Sequence, residues 1–275
     1  MRYAIYRCLY GEDFIQDSIQ SISNYVDKIF VFWDDTPWGD IDQCIYKGEV
    51  VKFPEKFDRI IEKIQALNNP EIELIYDHQF NNINQFTHFV NDIILPNYDR
   101  PDEIMVIEVD HVFRPDQLEL ALHEFRTDNY IAATTRQIEI WKGFRHRVPE
   151  RPYRTGVALW NMSNLKYFPE TQRQADYADM PRLSAEVHNL GFAISERAMY
   201  WKHMTALGFS QAIGDSQPVE DWYESKWLNW NPETNNKNLE ISLGYEHLIP
   251  QAIPYEINEL PVSIYQRLMK MEAVA

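Results

Sequence analysis

Two carboxylates separated by one residue, in Glu108-Val109-Asp110, form the strongest chemical pattern in the sequence. They lie at the end of an apolar, strand-like run at residues 104–109. Unpaired carboxylates are costly at the exit of a buried strand, so this pair favours a bound cation. Carboxylate oxygens are hard ligands that suit Mg²⁺ or Mn²⁺. Taken alone, the pair fits equally well a surface strand end at which Asp110 or Asp116 caps the next helix.

The overall charge adds a reason to expect a metal ion. The formal net charge is −16, which repels nucleic acid and anionic lipid, so we expect neither nucleic acid nor a membrane surface as a partner. A nucleoside diphosphate bound by such an acidic protein needs a positive group at its site, and a divalent ion supplies one. That ion would also act as a Lewis acid while a diphosphate leaves a sugar carbon.

Alternating strand and helix patterns position the two acids. Apolar stripes predict helices that begin near residues 15, 57 and 86, the last ending at Pro96, and apolar runs predict strands at residues 2–9, 28–33, 73–76 and 104–109. This alternation is typical of a parallel sheet with crossover helices, in which ligands bind at the carboxyl ends of the strands. The predicted class is α/β, with a Rossmann-like, mostly parallel sheet flanked by helices.

The second half of the chain predicts α+β excursions from that sheet. A helix begins at Pro115, and a later helix is capped by Ser195. Strand-like runs lie between them, at residues 130–134, 138–141 and 156–160. Residues 214–238 are expected to form a long functional loop or short helices.

Composition limits the class of protein. The chain of 275 residues is 45% hydrophobic and 14% aromatic, which predicts a folded domain. Cys8 and Cys44 have no spacing typical of a disulfide framework or structural zinc. Apolar runs of about 18 residues are absent, so we expect no membrane span and a cytoplasmic protein.

Three motifs in sequence order resemble the glycosyltransferase family 2-like enzymes, which have the A-type glycosyltransferase fold. They are Tyr10-Gly11-Glu12 after the first strand, Asp34-Asp35 after the second, and Glu108-Val109-Asp110-His111. The resemblance covers residues 3–120. It implies a nucleotide-sugar-binding half at residues 1–125 and an acceptor-binding half with a C-terminal tail at residues 126–275, both in one compact domain.

The resemblance also implies roles for individual residues. Tyr10, Glu12 and either Asp34 or Asp35 would hold the base and ribose, while Glu108 and Asp110 would hold the metal ion. Three positions depart from the family pattern: Gly11 replaces an Asn, Glu108 an Asp, and His111 an acid. Glu108 still offers an oxygen, but these departures leave the metal preference open.

A later segment supplies a candidate third metal ligand. His188 lies in Val187-His188-Asn189-Leu190-Gly191, which resembles the family element whose histidine completes the metal shell. An imidazole beside two carboxylates suits manganese better than calcium. A histidine that only makes a hydrogen bond within a turn at Gly191 is an equally good interpretation.

An inverting transferase needs a carboxylate that accepts the proton of the acceptor hydroxyl. Asp221 is the first candidate and Glu186 the second, although either fits a solvated surface acid. Three tryptophans near Asp221 could stack on sugar rings: Trp222, Trp227 and Trp230. Five cations at residues 142–154 fit a diphosphate clamp or ordinary surface ion pairs.

The sequence therefore predicts a hexosyltransferase-like, metal-dependent enzyme. It would move a sugar from a nucleoside diphosphate sugar to a carbohydrate or other hydroxyl acceptor, with Mn²⁺ or Mg²⁺ as cofactor. A nucleotidyltransferase is the alternative, but it usually opens with a Gly-rich, basic loop that Tyr10-Gly11-Glu12-Asp13 lacks. A protein that kept the fold and binds nucleotide or sugar without catalysis is the other alternative.

Overall fold

A computed structural model describes residues 1–8, 11–33, 41–54, 59–75, 87–88, 90–150, 156–169, 180–213, 220–239 and 251–272. Its strands are β1 (Arg2–Cys8), β2 (Lys28–Trp33), β3 (Gln43–Tyr46), β4 (Glu49–Lys52), β5 (Ile72–Ile75), β6 (Glu103–Ile107), β7 (His111–Val112), β8 (Ala132–Trp141), β9 (His146–Arg147), β10 (Ala158–Asn161), β11 (Arg182–Phe192) and β12 (Ile253–Pro254).

The described α-helices are α1 (Ile15–Ile22), α2 (Ile60–Gln65), α3 (Pro115–Thr127), α4 (Glu196–Ile213) and α5 (Val262–Glu272). Shorter helical segments are the 3₁₀ turns Ser23–Tyr25 and Ile257–Glu259, the π-helical segments Val90–Ile94 and Tyr223–Leu228, and the turn Leu95–Asn97. None of the described helices combines the length and the apolar character needed to cross a membrane.

The first half of the chain builds a parallel sheet in the order β5-β2-β1-β6. Strand β2 is buried at four consecutive central positions, as expected for a strand covered on both faces. Helix α1 buries Ile15, Ile19 and Ile22 against this sheet. Helix α3 likewise buries its apolar stripe, formed by Leu118, Ala121, Leu122 and Phe125. These strands and helices confirm the predicted α/β architecture.

The second half makes the sheet mixed. Strand β10 is antiparallel to both β6 and β8, and β9 and β12 extend the sheet in antiparallel fashion. Strand β11 runs parallel to β8 and pairs antiparallel with β7. The sheet is therefore mixed, with parallel pairing throughout the first half and again between β8 and β11. The short β3-β4 hairpin forms a separate sheet, which packs against α4.

Three local predictions are corrected by the structure. The runs predicted at residues 130–134 and 138–141 form one strand, β8, which begins at Ala132, instead of two strands. The segment around Gly191 lies in strand β11 and not in a turn. The helix expected to stop at Pro96 continues through the turn Leu95–Asn97, because a proline is tolerated at the first positions of a helical turn, where its missing N–H is not needed.

The C-terminal segment packs back on the first loop. The Arg267 guanidinium of α5 donates to the Asp13 carbonyl, and it lies 4.9 Å from the centre of the Phe14 ring. Tyr255, Leu260, Ile264 and Leu268 share an apolar cluster with Phe14 and Val112. The C-terminal segment, more than 240 residues further along the chain, thus supports the loop that follows β1.

A buried ion network joins β1 and β6 at the end of the sheet away from the acid pair. Arg2 and Glu103 are both buried, and the Arg2 Nε donates to Glu103 at 2.8 Å. Arg126 of α3 donates to the other Glu103 oxygen at 2.8 Å. Burial raises the pKa of Glu103, but the hydrogen bonds and positive charges of Arg126 and Arg2 outweigh burial and hold that pKa below its usual value.

Replacing Glu103 by Gln removes the carboxylate that pairs with the buried Arg2 guanidinium. We expect the unfolding free energy at pH 7 to fall by about 3 kcal/mol in urea titrations. Because the folded-state pKa of Glu103 is lowered, its contribution is present above the unfolded-state pKa and is lost as the pH falls through the folded-state value. The difference between variant and wild type should therefore shrink below about pH 4.

The matched control is Glu62→Gln, which removes the exposed pair between Arg59 and Glu62. That change should cost less than about 1 kcal/mol. Equal losses in the two variants would contradict the structural importance of the buried network.

Candidate metal centre

The candidate site lies where β1 and β6 end. These neighbouring strands are parallel, so the loops that follow them meet at one edge of the sheet. Gly11 in the first loop packs directly against Val109, the central residue of the acid triplet. A Cβ at Gly11 would lie 2.5 Å from a methyl group of Val109, so a larger residue would push the two loops apart. This contact gives a physical reason for the glycine at position 11.

Glu108, Asp110 and His111 form the one group among the described residues in which at least three acidic, histidine or cysteine side chains come together. One ligand atom from each lies within 4.8 Å of the other two. The Glu108 side chain is 40% exposed and the His111 side chain 3%, and their Oε2 and Nε2 atoms are 4.0 Å apart. The group thus opens to solvent on the Glu108 side and is closed by the core on the His111 side.

Asp110 contributes the buried charge of this group. Its side chain is 13% exposed, and its Oδ1 atom is buried without a hydrogen-bond partner in the described part of the chain. Its Oδ2 atom lies 3.7 Å from the Lys202 ammonium of α4. A buried carboxylate oxygen without a hydrogen bond is costly and favours a ligand that supplies positive charge. Two carboxylate oxygens and one imidazole nitrogen therefore fit a divalent transition-metal ion.

The His111 imidazole is oriented by strand β11. Pairing of β7 with β11 places Asn189 opposite His111. The Gly191 N–H donates to the Asn189 Oδ1 at 2.8 Å, which turns the amide nitrogen of Asn189 toward the His111 Nε2, 3.0 Å away. An amide nitrogen is a donor, so the His111 Nε2 accepts this hydrogen bond through its lone pair. A lone pair on Nε2 is what metal coordination requires.

Gly191 allows this close packing. A Cβ at that position would lie 2.5 Å from the Asp110 Oδ2, 2.8 Å from the Lys202 Nζ and 2.9 Å from the Asn189 Oδ1. Any larger residue would displace the carboxylate, the ammonium or the amide. The glycine that resembled a turn element in the sequence is thus a packing requirement of the site.

His188 faces away from the acid pair. Neighbouring side chains on a strand point to opposite faces, so His188 lies on the other face of β11 from Asn189. Its Nε2 atom forms a 2.7 Å hydrogen bond with the Tyr255 hydroxyl. Burial, with a smaller effect from Arg114, lowers the pKa of His188 to about 3. The imidazole that accompanies Glu108 and Asp110 is that of His111, which the sequence pattern marked only as a departure from the family.

The residues predicted to hold the nucleotide are only partly described. Tyr10, Asp34 and Asp35 lie outside the described residues. Glu12 is described: its Oε2 accepts the Arg59 N–H at the start of α2 at 2.7 Å, and its Oε1 lies 3.7 Å from the Arg197 guanidinium. Glu12 thus links the first loop to two helices at the same edge of the sheet.

Asp13 is a residue that the sequence pattern did not single out. Its Oδ2 accepts hydrogen bonds from both the N–H and the hydroxyl of Ser195, each at 2.9 Å. The Ser195 hydroxyl in turn accepts the Ala198 N–H at 3.4 Å, which confirms the predicted cap of α4. Asp13 therefore fixes the start of the helix that carries Lys202. A carboxylate whose partner lies 182 residues away leaves no local sequence signal.

The two candidate bases lie elsewhere in the structure. Glu186 is on β11, on the same face as His188, and its Oε1 is 3.3 Å from the Arg136 guanidinium. Asp221 is exposed, and its carbonyl accepts the Ser225 N–H where the π-helical segment begins. Neither belongs to the group formed by Glu108, Asp110 and His111. The assignment of a base therefore stays a prediction.

Three of the aromatic and basic residues proposed for ligand contacts have structural roles instead. Trp222 and Trp227 are buried, and their ring N–H groups donate to the carbonyls of Leu239 and Phe192, so they are not available for stacking on a sugar. Trp230 is half-buried and lies edge-on to His146. The Lys142 ammonium donates to the Trp227 and Leu228 carbonyls, which ties it to the π-helical segment.

Comparisons with known proteins give similarity of fold at low identity. No family model matches the chain, and no curated protein matches it. A fragment of S. aureus TarS is 11% identical, with a TM-score of 0.42, and the match covers 83% of this chain and 70% of that one. CMP:2-keto-3-deoxy-manno-octonic acid synthetase, in complex with CTP, is 14% identical with a TM-score of 0.40, and the match covers 78% of this chain and 99% of that one.

A third solved structure is glucosyl-3-phosphoglycerate synthase from Mycobacterium tuberculosis, in complex with Mn²⁺, UDP and phosphoglyceric acid. It is 12% identical, with a TM-score of 0.33, and the match covers 50% of this chain and 43% of that one. Similarity at this level assigns neither a family nor an activity to the chain.

The environment of His188 generates a prediction about pH. Its folded-state pKa is lowered to about 3 from an ordinary value of 6.5. Between those values the unfolded chain binds a proton that the folded protein does not, so the unfolding free energy should fall as the pH is lowered through this window. In an NMR titration the His188 ring should stay neutral down to about pH 4.

His188→Gln, which keeps a polar partner for Tyr255, should flatten the loss of stability between pH 6.5 and pH 4. His123→Gln, at an exposed histidine of α3, serves as the control and should leave the pH dependence unchanged. A His188 ring that titrates near pH 6 would contradict its buried, neutral state.

Proposed function

We propose that this protein is a metal-dependent glycosyltransferase that moves a sugar from a nucleoside diphosphate sugar to an acceptor hydroxyl. The observation that carries the proposal is the group of Glu108, Asp110 and His111 at the carboxyl end of β6. That edge of a parallel sheet is where α/β proteins bind their ligands. The buried Oδ1 of Asp110, which has no hydrogen-bond partner in the described structure, supports a bound cation there.

Glu108, Asp110 and His111 would hold the metal ion. Two oxygens and one nitrogen suit Mn²⁺ better than Ca²⁺, and Mg²⁺ is the alternative. The His111 Nε2 accepts from the Asn189 amide, so coordination of a metal ion by Nε2 would replace that hydrogen bond. The bound ion would neutralise the diphosphate as it leaves the sugar.

The loops after β1 and β2 would hold the nucleoside. Tyr10, Glu12, Asp34 and Asp35 are the residues proposed for the base and ribose, in keeping with the family resemblance of their motifs. Glu12 lies in the loop that packs on the acid triplet through Gly11, which supports a role for it at this edge of the sheet. Asp221 is the first candidate for the base that deprotonates a carbohydrate or other hydroxyl acceptor, and Glu186 is the second.

The first loop also bears on the choice between sugar transfer and nucleotidyl transfer. Gly11, Glu12 and Asp13 contribute two acids and no basic side chain to this edge of the sheet. Asp13 is moreover committed to Ser195 and Arg267. The described part of the first loop thus lacks the Gly-rich, basic character typical of nucleotidyltransferases, which supports sugar transfer.

Calorimetric titration with UDP, GDP, ADP, CDP and TDP, each with Mn²⁺, tests the proposal. We expect one diphosphate to bind only when Mn²⁺ is present. Asp110→Asn, which removes the buried negative charge, should weaken that binding about 100-fold. Asp116→Asn, at an exposed acid paired with Arg114, is the matched control and should bind as wild type does.

Failure of every diphosphate to bind in the presence of Mn²⁺ would contradict the proposed function. CTP is included as a probe of the nucleotidyltransferase alternative, and metal-dependent binding of CTP alone would favour it. Metal-dependent binding of a nucleotide sugar without transfer or hydrolysis would instead indicate a non-catalytic binding protein.

A further inference from the structure

Lys202 places a positive charge directly beside the proposed metal ligands. It lies on α4, and its ammonium is 3.7 Å from the Asp110 Oδ2. The same ammonium donates to the Gly191 carbonyl at 3.0 Å and lies 5.5 Å from the centre of the Phe192 ring. Its side chain is about one quarter exposed, at 27%. The position of the Lys202 ammonium is therefore fixed by the fold, next to the proposed metal ligand Asp110.

The position of Lys202 is built by two independent contacts. Asp13 binds the N–H and hydroxyl of Ser195, which fixes the start of α4 beside the first loop. Gly191 supplies the space, since a Cβ there would lie 2.8 Å from the Lys202 Nζ. Lys202, Asp110 and Asp13 line one small depression. A lysine that merely covered the surface would need neither contact.

The Lys202 ammonium makes the net charge around the proposed metal site less negative. Glu108 and Asp110 together carry −2, and Lys202 brings the local sum to −1. A divalent ion bound by Asp110 shares that carboxylate with the ammonium, and like charges this close repel strongly in a partly buried site. The phosphates of a nucleotide add negative charge that attracts the metal ion and the ammonium alike.

We infer that Lys202 couples metal binding to nucleotide binding. This inference rests on the proposed function and deepens it. Without nucleotide, the acidic group has a low affinity for a divalent ion, and its affinity is high only when a nucleoside diphosphate is bound as well. Because coupling is reciprocal, the bound metal ion raises the affinity for the nucleotide by the same factor as the bound nucleotide raises the affinity for the metal ion. Lys202 is thus a positioning residue that keeps the site from filling with metal ion alone.

The test compares Mn²⁺ affinities of wild type, Lys202→Met and Lys202→Arg, measured from the electron paramagnetic resonance signal of free Mn²⁺. Without nucleotide, Lys202→Met should bind Mn²⁺ about tenfold more tightly than wild type, because the repelling charge is gone. Lys202→Arg keeps the charge and should stay within about threefold of wild type. Lys226→Met, at a half-buried lysine whose ammonium donates to the Lys237 carbonyl, is the control for the loss of one positive charge from the protein as a whole.

The second arm repeats the titration with saturating UDP, or with whichever diphosphate the panel selects. The gain in Mn²⁺ affinity caused by the nucleotide should be at least about fivefold smaller in Lys202→Met than in wild type. Circular dichroism and a melting temperature close to that of wild type establish that each variant folds, and Lys202→Gln is a second uncharged variant.

Equal or weaker binding of bare Mn²⁺ by Lys202→Met and Lys202→Gln would overturn the role of Lys202, whatever the nucleotide titrations show. Failure of every nucleoside diphosphate to bind would instead contradict the proposed function. The comparison of bare Mn²⁺ affinities needs no nucleotide, so these two failures are distinguishable.

Discussion

The close approach of backbone segments around Asp110 is the constraint on which the site depends. Gly11 touches Val109 on one side, and Gly191 touches the Asp110 carboxylate on the other. Neither position has room for a Cβ, so the first loop and strand β11 can both reach the acid triplet. Asp13 then attaches α4 to the first loop through Ser195. One carboxylate is thereby surrounded by elements that are far apart in the sequence.

Local patterns predicted the elements that depend on local physics. The strand Lys28–Trp33 and the buried stripe of α3 follow from apolar runs and helical spacing, and both lie where the sequence places them. Glu108 and Asp110 were also predictable, because an acid pair directly after a buried strand is a local feature. Strand direction is not local: the antiparallel insertion of β10 between β6 and β8 depends on pairing across the whole chain.

The partners of Asp110 could not be predicted for the same reason. His111 meets Asn189 only because β7 pairs with β11, and a strand exposes alternate residues on opposite faces. Whether His188 or Asn189 faces the acids therefore depends on the register of that pairing, which the sequence motif does not contain. Lys202 approaches Asp110 from a helix 92 residues further along the chain. The tryptophans near Asp221 were predicted to stack on sugar rings. In the structure they pack into a hydrophobic cluster instead.

Pulsed electron paramagnetic resonance of bound Mn²⁺ is the most direct measurement of the central claim, that Glu108, Asp110 and His111 form a metal centre. The structure predicts a nitrogen hyperfine coupling from one imidazole, present in wild type and in His188→Gln and absent in His111→Gln. A coupling that persists in His111→Gln, or one that disappears only in His188→Gln, would show that the metal ion binds elsewhere and would contradict the account.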